Sequence, residues 1–72
     1  MDTKKRTPKS LASVVLSARV KRHWTQMDLA NAASVSPSLI ANIERGVTAT
    51  ATPLTLAKIG EALGKDLSRF AK

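Results

Sequence analysis

The chain has 72 residues, 12 Lys plus Arg against 5 Asp plus Glu, no Cys, and a net charge of +7. That length fits one small domain, and the lack of Cys excludes a disulfide framework and any Cys-ligated zinc or redox centre. A lone His23 and scattered carboxylates supply neither a metal-ligand cluster nor a nucleophile–base–acid set, so the expectation is a non-enzymatic protein without metal or cofactor.

Residues 1–9, MDTKKRTPK, carry four bases and almost nothing apolar, and Pro8 blocks a helix across them. They read as a flexible basic arm ahead of a domain spanning 10–72. The charge continues beyond the arm. Lys4, Lys5, Arg6, Lys9, Arg19, Lys21 and Arg22 face only Asp2 within residues 1–24. A field of this kind attracts polyanions. With Trp24 and Phe70 the only aromatics, single-strand binding by base stacking is disfavoured. The longest apolar stretches, Val14-Val15-Leu16 and Leu39-Ile40-Ala41, fall far short of the about 20 residues of a membrane span. Arg19, Lys21 and Arg22 argue against a signal peptide, which makes a soluble cytoplasmic protein without membrane contact the expectation.

Ser10 caps a first helix predicted to reach about His23, with Leu11, Val15 and Ala18 on one apolar face. Leu16 and Val20 form a second apolar pair on another face. Lys21, Arg22 and His23 fall in the last turn, where cations meet the negative end of the helix dipole. Thr25 and Asp28 make a capping box for a short second helix over about 26–32, with Leu29, Ala30 and Ala33 inward. Ser36 then caps a third helix over about 37–45, with Pro37 at its first position and Gly46 at its end. Leu39 or Ile40, together with Ile43, faces the core.

Val47 to Thr52 read as a loop whose strand-like VTATAT is too short to find a partner. Thr52-Pro53 opens a fourth helix to about Leu63, with Leu54, Leu56, Ile59, Ala62 and Leu63 as its apolar set and Gly64 as its stop. Asp66 caps a last short helix with Leu67 and Phe70. The class is all-α: a compact five-helix bundle with short connections.

Two short helices joined by a tight turn, TQMDLANAASVSPSLIANIERG over 25–46, form a helix-turn-helix unit. The ordered set Thr25-Gln26, Asp28-Leu29-Ala30, Ala33, Val35-Ser36, Ser38, Ile40 and Ile43-Glu44-Arg45-Gly46 resembles the Cro/CI-type (XRE) helix-turn-helix family, whose fold is lambda repressor-like. Thr55-Leu56, Lys58-Ile59, Ala62-Leu63-Gly64, Leu67 and Phe70 continue the resemblance, which covers about 11–71.

The resemblance implies double-stranded DNA as partner, with the third helix in the major groove. Pro37, Ser38, Ala41 and Asn42 would then meet base edges. Asn42 can pair bidentately with adenine, and the carbons of Pro37 and Ala41 can touch thymine methyls. Gln26 would meet a phosphate while supporting the recognition helix. Thr25 and Ser36 are caps first and phosphate ligands second, and Arg19, Lys21, Arg22, Arg45 and Thr48 complete the backbone-contact set. Arg19 and Glu44 match a family ion pair tying the first helix to the third.

Two features depart from the family pattern. The recognition helix has no Lys or Arg before Arg45, and the following loop is VTATAT where relatives are rich in Lys, Arg and Asn. That puts weight on Lys21, Arg22 and the arm, whose Lys4, Lys5 and Arg6 resemble the basic arm of the lambda repressor. The expectation is a small homodimeric repressor on an inverted-repeat operator, dimerising through this same domain, on the DNA itself, or through a part that a fragment boundary has removed. The alternative is a protein-interaction module such as an antitoxin, favoured by the uncharged recognition helix and by Leu16 and Val20.

Overall fold

Four α-helices and one 3-10 turn organise residues 10–71, the part of the chain that the computed structural model describes. The predicted arm, with Lys4, Lys5 and Arg6, lies outside the described residues. The helices are α1 (Leu11–Lys21), α2 (Gln26–Ala33), α3 (Pro37–Glu44) and α4 (Pro53–Leu63). Each starts with the same chemistry. The hydroxyls of Ser10, Thr25, Ser36 and Thr52 accept hydrogen bonds from the backbone N–H three residues on, satisfying a donor that the helix itself cannot. Thr25 and Asp28 complete a reciprocal capping box.

Each helix also ends in one way. A residue in the left-handed region follows the last turn, and the next backbone N–H reaches back to the carbonyl five residues earlier: Trp24 to Arg19, Val35 to Ala30, Val47 to Asn42 and Lys65 to Gly60. Gly46 and Gly64 fill two of these left-handed positions, but His23 and Ser34, both at φ 58°, fill the others. This corrects the expected end of the first helix. His23 lies beyond α1, and the last turn holds Arg19 and Lys21, with Arg22 as C-cap.

Leu11, Val15 and Ala18 of α1, Leu29, Ala30 and Ala33 of α2, and Ile40 and Ile43 of α3 meet Leu56, Ile59 and Leu63 of α4 in one core. The helix α2 packs on α3 and α4, and α1 covers α3. Leu54 is 68% exposed, against its expected place in the apolar set. It stands on the outer side of the first turn of α4, where the period that buries Leu56, Ile59 and Leu63 turns it to solvent.

The fifth helix is a single 3-10 turn, Ser68–Phe70, rather than an α-helix. The Asp66 carboxylate does accept from Ser68 N–H at 2.9 Å, yet three residues allow no i→i+4 ladder. The turn still sets Leu67 in the core. The loop after α3 also differs from expectation, for Ala51 forms a parallel β-bridge with Ala71 and its N–H donates to the Phe70 carbonyl.

Gly60 is the tightest point in α4. A Cβ there would stand 2.5 Å from the Lys65 carbonyl oxygen, which is backbone held in place by the Lys65 N–H bond to Gly60. Alanine in a helix interior is favoured over glycine by about 1 kcal/mol, whereas forcing atoms into a packed site costs about 1–3 kcal/mol. The overlap is with backbone, so the larger cost governs. Gly60→Ala is expected to lower stability by about 1–2 kcal/mol in urea unfolding. A midpoint at or above wild type would mean that the 64–67 turn moves freely.

Candidate nucleic-acid interface

Burying Ile40 and Ile43 turns the opposite face of α3 outward. Pro37 and Ser38 are exposed at its first turn, and Ala41 and Asn42 follow half-buried one turn on, with Arg45 exposed at the end. These five residues share one side of the helix at i, i+1, i+4, i+5 and i+8. The N-terminus of α3 has little anion capacity of its own. Pro37 has no N–H, and Leu39 N–H is taken by the Ser36 hydroxyl at 3.1 Å. The same holds for Thr25, whose hydroxyl and N–H are both engaged with Asp28.

A charged network ties α3 to the rest. Arg19 of α1 forks onto Glu44, with Nε to Oε2 at 2.7 Å and Nη2 to Oε1 at 2.9 Å. Its Nη1 donates to the Trp24 carbonyl at 2.7 Å. Gln26 Nε2 donates to Glu44 Oε1 at 3.0 Å, so three elements converge on one carboxylate that is only 6% exposed. Burial pushes the Glu44 carboxyl up. The hydrogen bonds from Arg19 and Gln26 and the Arg19 charge outweigh it and hold the group below its ordinary value. Hydrogen bonding to Glu44 raises the Arg19 guanidinium further above its already high value.

The network sorts the expected phosphate contacts. Arg19, its side chain 15% exposed, spends three N–H groups inside the protein and acts as a strut. Gln26 gives one amide hydrogen to Glu44 and keeps the other for an outside acceptor. Arg22 lies over the Trp24 ring at 5.5 Å, which leaves the indole partly buried against the core at the α1–α2 joint. Lys21 is exposed, and Thr48 is half-buried with its N–H on the Asn42 carbonyl at 3.2 Å. Sequence reasoning missed the Arg45 guanidinium on Asn42 Oδ1 at 2.6 Å, whose only signal is the i, i+3 spacing.

A compact helical domain with an outward second helix, braced from behind by a buried carboxylate, is the architecture of a helix-turn-helix domain. The helix-turn-helix family model matches residues 15–70, and the chain belongs to that family. It is a Cro/CI-type (XRE) DNA-binding domain and so a DNA-binding transcription regulator in its general class. Double-stranded DNA is the partner this family implies. Comparison with curated proteins returns no match. No helix among the described residues is long and apolar enough to cross a membrane.

Proposed function

We propose that the protein is a sequence-specific repressor that binds an inverted-repeat operator as a homodimer. The supporting observation is the outward face of α3, with Ser38 and Asn42 as its hydrogen-bonding groups, held by the Arg19–Glu44–Gln26 network. In this reading Pro37, Ser38, Ala41 and Asn42 meet base edges. Gln26, Ser36, Lys21, Arg22, Arg45 and Thr48 serve the backbone, and Thr25 contributes through its cap. Lys4, Lys5 and Arg6 add charge. Two copies would set their recognition helices about 34 Å apart, one turn of DNA. Repression is then steric, because an occupied operator excludes polymerase.

Selection of sites from a random duplex pool tests the reading. An enriched inverted repeat is the expected result. Asn42→Ala should weaken binding to the selected duplex by about 1–3 kcal/mol and erase preference at one position per half-site. Retention without an enriched sequence would reduce the protein to a basic domain that does not read sequence. A second reading rests on Leu16 and Val20, 40% and 54% exposed on the outer side of α1. Such a pair suits a protein partner, and failure of the pool to bind at any salt would favour that reading.

A further inference from the structure

We infer that Arg45 sets the hydrogen-bonding polarity of Asn42 and steers it toward guanine, a deepening that rests on the proposed major-groove reading. An asparagine amide is ambivalent. Its Oδ1 accepts, its Nδ2 donates, and its terminal torsion is broad and roughly two-fold, so a free Asn can present either group. Here the ambivalence is removed. The Arg45 Nη2 donates to Asn42 Oδ1 at 2.6 Å, a short charge-assisted bond.

The backbone around the pair is fixed as well. The Asn42 carbonyl accepts from Val47 N–H at 2.9 Å and Thr48 N–H at 3.2 Å, and Arg45 N–H is bound to the Ala41 carbonyl at 3.0 Å. Both side chains therefore leave a closed helix end from defined positions. With Oδ1 turned to the cation, the group left outward is Nδ2, and the guanidinium beside it has further N–H groups to give. The couple presents donors side by side. Guanine offers two neighbouring acceptors in the major groove, N7 and O6, whereas adenine offers an acceptor next to a donor. Donors beside donors fit the first edge and meet a like group at the second. Asn42 alone would favour adenine; Asn42 held by Arg45 favours guanine. Arg45 is thus a positioning residue for specificity, in addition to any attraction it exerts on phosphate.

The test uses the full chain and the duplex enriched from the random pool. Asn42→Ala identifies the position whose preference depends on Asn42. Affinities are then measured for duplexes with G·C or A·T there, using wild type, Arg45→Ala and Arg45→Lys. Wild type should prefer guanine by roughly tenfold. Arg45→Ala should lose that preference or pass it to adenine, with an unchanged melting temperature because Arg45 and its bond to Asn42 are exposed. Arg45→Lys keeps the charge, and so the salt dependence, but not the planar fork. It should restore overall affinity more than base choice. If Arg45→Ala weakens every duplex equally and leaves the preferred base unchanged, Arg45 only attracts phosphate and the inference is wrong. An adenine preference in wild type also overturns it. If wild type enriches no sequence at all, the major-groove reading itself fails, an outcome distinct from either of these.

Discussion

The Glu44→Ala variant is expected to melt roughly 10–20 °C below wild type, using about 4–8 °C per kcal/mol for a domain of this size. Truncation strands the Arg19 guanidinium, 15% exposed, with only the Trp24 carbonyl left to it. Removing one partner of a buried pair costs about 3–5 kcal/mol, and this pair sits near the edge of the core, so about 2–3 kcal/mol is the appropriate figure. A small domain has only roughly 3–5 kcal/mol to lose. The double variant Arg19→Met/Glu44→Leu removes both charges and refills the volume, and it should lie closer to wild type than Glu44→Ala does. Thermal unfolding followed by circular dichroism measures both. Equal losses in the two variants would mean that the elements stay joined by apolar packing alone.

The same carboxylate sets an acid dependence. Its value in the folded protein lies below the ordinary one, so the unfolded chain binds the proton more readily. The stabilisation is therefore complete above the unfolded value, about 4.3 for Glu, and fades as pH falls through the folded value. Asp66 acts in the same direction, held down by hydrogen bonds from the Ser68 backbone and side chain. Glu44→Gln should flatten the part of the acid profile that belongs to Glu44.

The second large effect concerns salt. Each phosphate neutralised adds about 0.9 to the slope of log affinity against log salt, so three contacts add about 2.7. Replacing Lys4, Lys5 and Arg6 together with alanine should lower the slope by that amount. Over a fourfold rise in salt, wild type would lose roughly 40-fold more affinity than the variant. The ratio of selected to random duplex binding should barely change, because phosphate contacts carry no sequence information. An unchanged slope would assign the charge term to Lys21, Arg22 and Arg45.

The helix starts were legible because each is a local contract. A hydroxyl at Ser10, Thr25, Ser36 or Thr52 needs only the N–H three residues on, and Pro37 and Pro53 mark first turns. The ends at Gly46 and Gly64 were legible for a similar reason, since glycine enters the left-handed region freely. The second helix stops where its pattern placed it, but the first stops short of His23, and the left-handed conformation of His23 and Ser34 was not legible because neither residue type announces it. The Ala51–Ala71 bridge joins backbone groups twenty residues apart and leaves no mark on side-chain pattern. At the site, the outward residues of α3 follow from helical period once the core is known. The pairing of Arg19 with Glu44 came from family resemblance. The bonds of Gln26 to Glu44 and Arg45 to Asn42 depend on rotamers, which sequence spacing permits without requiring.

The joints at His23 and Ser34 bear on the entropy of DNA binding. Both flank α2, and both hold a residue with a Cβ at φ 58°, which costs about 1–2 kcal/mol each relative to a right-handed conformation. Glycine would relieve that strain but would leave the unfolded chain many more conformations to lose on folding. In the folded protein α2 is held by its packing on α3 and α4, so the two joints reach their geometry before any duplex arrives. Little conformational freedom then remains to be lost on docking, and preorganisation of this kind raises affinity without a single added contact.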